Sequence, residues 1–102
     1  SICRRTRFWP AVAREEGFRL FSGEQALTQY LFNTRKNQHW FCKCCGVRPF
    51  GIGTDTPIGR MVGVNIGCLE DVSEETLSRL TITRVDGLNE RWAEPPAFCA
   101  HL

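Results

Sequence analysis

The stretch Phe41-Cys42-Lys43-Cys44-Cys45-Gly46 decides how the rest of this chain is read. Cys42 and Cys45 stand in C-x-x-C register, and Gly46 follows directly. Two thiolates at that spacing grip one ion only where the backbone turns sharply between them, and such a turn is half of a tetrahedral zinc site. A glycine after the second cysteine lets the chain leave the turn without a Cβ clash. Half a site leaves two donors to find. A disulfide or a buried thiol pair is the plainer reading of the same spacing. A thioredoxin-like redox pair would need the motif to open a helix after a strand. Gly46-Val47-Arg48-Pro49 does not begin a helix.

Outward from the knuckle, composition narrows the choices. A chain of 102 residues is one small domain, with 42% apolar residues to build its core. A domain of this size has little stability to spare, so a metal staple would help it. The net charge of +2 makes no case for nucleic acid as a partner. No apolar run approaches the roughly 20 residues of a membrane span, and the start carries no signal-peptide pattern. Six cysteines are many for this length. Their spacing, with Cys42, Cys44 and Cys45 crowded and Cys3, Cys68 and Cys99 far apart, favours thiolate–metal bonding in a reducing, cytoplasmic compartment over a disulfide framework. The chain opens on Ser1 rather than Met, which leads to the expectation that further residues precede it.

No linker, repeat or low-complexity tract divides the sequence. Short strands are predicted over residues 8–13, 18–21, 27–33, 38–41, 50–53 and 61–66, with a further one over 81–84. Glu15-Glu16-Gly17, residues 54–59 and Asp86-Gly87 read as turns and loops. Ser73 is a predicted N-cap, with Glu74 and Glu75 in the first turn and the helix running to residue 80. The class is mainly β, with one short helix.

The landmarks in their order resemble the glutathione-dependent formaldehyde-activating enzyme family, which includes centromere protein V. Ser1-Ile2-Cys3-Arg4-Arg5 resembles the end of that family's C-x-C-x-x-C-R-R motif. Phe18-x-x-Phe21, Gly23-Glu24 and Leu27-Thr28-x-Tyr30 resemble its next two strands. His39-x-Phe41-Cys42-x-x-Cys45-Gly46-Val47-x-Pro49-Phe50 resembles its central knuckle. Val64-Asn65-x-x-Cys68-Leu69-x-Asp71 and Asp86-Gly87-x-Asn89-x-Arg91-Trp92 resemble its closing segments. The resemblance implies a small zinc-containing β-tent of several short antiparallel sheets, here without the family's N-terminal hairpin.

The resemblance also implies a role for particular residues. Cys42 and Cys45 would be ligands of a structural zinc, and Cys3 of a catalytic one. The family completes both sites with cysteines that would lie before Ser1. Arg4 and Arg5 could hold the carboxylates of an anionic tripeptide. Their plainer reading is a solvated basic start to the chain. Basic neighbours of Cys3 favour its thiolate. Cys44 is expected to point away from any ion its neighbours share, and Cys68 to sit in the core. His39 reads as a buried strand residue, or as a ligand in a Cys3His set. Cys99 and His101 form a C-x-H pair in a tail.

The implied chemistry is zinc-dependent carbon–sulfur lyase-like: glutathione sulfur adds to formaldehyde, or the adduct S-hydroxymethylglutathione is cleaved. Glutathione or a similar small thiol is the expected partner, with neither nucleic acid nor membrane. The competing expectation is a non-enzymatic, zinc-stabilised interaction domain.

Overall fold

Val62 and Val64 alternate with Gly63 in a β-branched run that favours a strand buried on one face and open to close approach on the other. In the computed structural model, which describes residues 2–102, this run is a central strand. The chain divides into two units, one of Phe8–Cys68 and one in which the first residues through Arg7 join Leu69–Leu102.

The first unit is a single five-stranded antiparallel sheet. Its strands are β1 (Pro10–Arg14), β2 (Leu27–Tyr30), β3 (Gln38–Cys42), β4 (Phe50–Gly53) and β5 (Met61–Asn65), in the spatial order β1-β5-β4-β3-β2. Strands β2 to β5 follow one another as a meander, and β1 closes the far side against β5. The expected several short sheets are therefore one sheet, because every ladder is continuous with the next.

The register separates two faces. One row across the sheet reads Gln29, Trp40, Phe50, Val64 and Ala11. This face carries the buried Phe50 and Val62. The neighbouring row, Tyr30, His39, Gly51, Gly63 and Val12, points the other way. Its glycines are structural vacancies that neighbours fill. A Cβ on Gly51 would stand 3.0 Å from Arg48 Nη2 and 3.1 Å from the carbonyl oxygen of Gln38. One on Gly63 would stand 3.0 Å from Pro10 Cβ. The bare backbone thus admits the Arg48 guanidinium, which stacks on the Phe8 ring at 3.6 Å from its centroid.

Several expected elements differ. Residues 18–21 form no strand; they cross the apolar face as an irregular strap, with Phe18 packed on Phe50 at 4.9 Å between ring centroids. The strand expected over 27–33 ends at Tyr30, and Asn33 and Arg35 beyond it take positive φ values of 52° and 59° that no strand accommodates. Ile66 leaves its strand for a short 3-10 turn, Ile66–Cys68.

The second unit holds two short helices, where one was expected. Helix α1 spans Ile2–Arg5 and closes with Thr6 donating to the Ile2 carbonyl at 3.0 Å through its backbone amide and again through its hydroxyl. Helix α2 spans Glu74–Ser78. The Ser73 hydroxyl accepts the Thr76 amide at 3.2 Å, so the predicted N-cap is in place. Residues 81–84 enter no strand among the described residues. The turn at Asp86 is cross-braced: its carboxylate accepts Asn89 Nδ2 at 2.8 Å and Arg91 Nη2 at 2.7 Å, and it is only 4% exposed. No helix among the described residues is long and apolar enough to cross a membrane.

Candidate metal knuckle and adjoining cleft

β3 delivers Cys42 as its last residue, paired with Leu27 of β2. The chain then reverses. The Gly46 amide donates to the Cys42 carbonyl at 2.8 Å, and the Cys42 amide donates to the Val47 carbonyl at 2.8 Å. Lys43 ties the turn to its neighbour by donating to the Ala26 carbonyl at 2.9 Å. Gly46 exits with φ of 76°, the left-handed conformation expected of a glycine after such a motif.

Inside this loop the backbone addresses a sulfur. The amide of Cys45, then that of Cys44, then the thiol of Cys45 approach Cys42 and hold its thiol below the ordinary cysteine range. Cys42 is half-buried, while Cys44 and Cys45 are exposed.

The same loop is pinned from behind. Asn65 Nδ2 donates to the Arg48 carbonyl at 2.9 Å, and Asn65 Oδ1 accepts the Gly67 amide at 3.1 Å. The Cys68 sulfur lies 4.0 Å from the same Arg48 oxygen. Cys68 is half-buried rather than part of the core, and burial followed by the charge of Cys45 pushes its thiol up.

Cys42 and Cys68 both line a cleft of about 510 Å³ on the apolar face of the sheet. The strap residues Phe18 and Phe21 form one side, with Leu27 and Phe50 against them. Phe21 is 92% exposed. Arg19 is the charged residue lining this cleft. Sequence reasoning assigned the strap to a strand and so missed the cleft; the spacing of Phe18 and Phe21 was its only trace.

Of the predicted site residues, Cys42 and Cys45 are brought together. Cys3 is half-buried in α1, and Arg4 and Arg5 are exposed in that helix's last turn, within the other unit. His39 is the buried strand residue, 6% exposed, with Nδ1 2.8 Å from Arg48 Nη2. An arginine nitrogen can only donate, so Nδ1 accepts and is committed to the guanidinium rather than to a metal.

The donor chemistry of the knuckle fits a thiophilic ion: two thiols meet in one turn, and two amides offset the charge of one sulfur. It supplies two donors. Among the described residues no group of three or more His, Cys, Asp or Glu side chains is arranged to hold an ion.

A family model described as glutathione-dependent formaldehyde-activating enzyme matches residues 1–83. The crystal structure of a Rhodobacter sphaeroides protein is similar to this chain, with 34% sequence identity and a TM-score of 0.65, covering 78% of this chain and 72% of that one.

Proposed function

We propose, from the premise that this chain belongs to the glutathione-dependent formaldehyde-activating enzyme family, that it acts on a glutathione-type thiol adduct in a zinc-dependent, carbon–sulfur lyase-like reaction. Membership supports glutathione-related formaldehyde activation in general terms. The zinc, the lyase chemistry and the residues that carry them are our reading.

The observation that carries the reading is the Cys42–Cys45 turn, closed by the Gly46 amide donating to the Cys42 carbonyl at 2.8 Å, with Gly46 leaving it at a φ of 76°. In this reading Cys42 and Cys45 hold a structural zinc and Cys3 contributes to a catalytic one. When bound, zinc supplies Lewis acidity and lowers the pKa of a thiol or water that it touches.

The rest falls to the chain's own side chains. Arg4 and Arg5, exposed on α1, pair with the ligand's carboxylates and set its orientation. Addition forms the sulfur–carbon bond of S-hydroxymethylglutathione while the thiol proton ends on the former aldehyde oxygen. Cleavage returns that proton to sulfur. Orientation of the two reactants contributes in both directions.

The test is metal content of the purified protein together with turnover. Zinc plus interconversion of formaldehyde and S-hydroxymethylglutathione, followed by NMR above the spontaneous rate, supports the reading. A zinc-bearing protein that leaves the spontaneous rate unchanged overturns it in favour of an interaction domain.

A further inference from the structure

The two limbs of the cysteine turn are held in different ways. The entry limb belongs to β3: Cys42 is paired with Leu27, and the Lys43 amide donates to the Ala26 carbonyl at 2.9 Å. The exit limb, residues 47–49, lies outside any strand. One bond, from the Cys42 amide to the Val47 carbonyl at 2.8 Å, ties it to β3. Two more come from a single residue, Asn65 at the end of β5. Its backbone amide donates to the Pro49 carbonyl at 2.8 Å, and its side-chain Nδ2 donates to the Arg48 carbonyl at 2.9 Å. Asn65 Oδ1 accepts the Gly67 amide at 3.1 Å, which sets the carboxamide with Nδ2 toward the limb. Cys68 is a poor substitute for it: the sulfur stands 4.0 Å from the same Arg48 oxygen, and a thiol is a weak donor.

We propose that Asn65 is a positioning residue for the ion held by Cys42 and Cys45, acting by fixing the limb that places Cys45. The proposal rests on the zinc reading given above and adds to it a residue of another strand that carries no thiol. Sulfurs that wait at the required separation bind an ion tightly, because any movement needed to bring them together subtracts from affinity. Their distances to the ion have to fall within about 0.2 Å of the ideal. Cys45 lies between the two limbs, so its place follows from that of the exit limb as well as from β3.

Asn65→Asp isolates the contact. It keeps the shape of the side chain and the oxygen that accepts from Gly67, and it turns the donor facing the Arg48 carbonyl into an acceptor. The zinc affinity of the purified chain is measured by competition with a chelator of known strength. Asn65→Asp is expected to weaken it roughly tenfold to a hundredfold. In the cobalt-loaded protein the visible ligand-field bands report the geometry about the ion, and they are expected to shift in the variant. Ser73→Ala removes a side-chain-to-backbone hydrogen bond at α2 and is expected to leave both readouts as in the unaltered protein. Unchanged zinc affinity in Asn65→Asp, or a loss of affinity with the cobalt bands unmoved, overturns the positioning role and leaves the zinc reading standing. An equal loss in Ser73→Ala does the same, because it traces the effect to general stability. An unaltered protein that takes up neither zinc nor cobalt overturns both the positioning role and the zinc reading.

Discussion

Arg48 donates through Nη2 to His39 Nδ1 at 2.8 Å, and both side chains are buried, each 6% exposed. The contact fixes the imidazole as neutral with its proton on Nε2, since a protonated ring would offer Nδ1–H to another donor. Burial first, and then the Arg48 charge, lower the His39 pKa to about 4. The pair welds β3 to the segment that follows the knuckle, on the face where Gly51 leaves room for it.

The pH dependence of stability follows from that pair. The unfolded histidine, with a pKa near 6.5, binds a proton that the folded one refuses until about 4. The unfolded state therefore holds more protons between these values, and stability rises with pH across the window. His39 contributes fully above about 6.5, and its contribution is lost as pH falls toward 4, at a cost on the order of 2–3 kcal/mol. Urea unfolding at successive pH values is expected to show this slope, and His39→Gln to flatten it.

Gly51→Ala is expected to destabilise the protein by about 1–3 kcal/mol. The added methyl would meet Arg48 Nη2 at 3.0 Å and the Gln38 carbonyl at 3.1 Å, and a backbone oxygen in a ladder has little freedom to retreat. Thermal unfolding of the variant against the parent measures the loss.

The position of these residues shows what the sequence could disclose. β4 is where it was expected, and β3 and β5 differ by a residue, because aromatic and β-branched runs end at glycines or polar turns. The Ser73 cap was legible for the same local reason. The knuckle turn was legible from C-x-x-C-G alone. Residues 18–21 were misread because alternation of large side chains describes equally a strand and a strap laid on a sheet. The burial of Arg48 was illegible. It depends on glycines in β4 and β5 and on Phe8, which no local period connects.

Cys42→Ser and Cys45→Ser are each expected to lose zinc at the knuckle, whereas Cys44→Ser retains it. Removing either residue leaves one sulfur of the proposed C-x-x-C pair, whereas Cys44→Ser leaves both in place. Elemental analysis of the three purified variants, reported as zinc per chain, distinguishes them. Equal loss in all three would mean that the loop, not the C-x-x-C pair, sets affinity.

Ser73→Ala is expected to cost about 1 kcal/mol locally by freeing the Thr76 amide at the start of α2. Hydrogen exchange at Thr76 and Leu77 is the direct readout, with faster exchange in the variant.

Asp86 gives an acid response that a solvent-exposed carboxylate with an unshifted pKa does not. Donation from the Asn89 side chain, then from Arg91, holds its carboxyl below the ordinary range. Its contribution is present above the ordinary aspartate pKa and is lost only as pH falls through the depressed folded value. Asp86→Asn is expected to lower the melting temperature at pH 7 and to narrow the gap from the parent in strong acid.

The furrow that Gly51 leaves reaches further than its own strand. The guanidinium lodged there belongs to the third residue after Cys45, so floor and sulfur loop share one short tether. A bulkier floor would lift Arg48, and the lift would be felt at the thiols on the opposite side of the sheet. Ion affinity in this protein is thus expected to drift with substitutions that touch no donor atom.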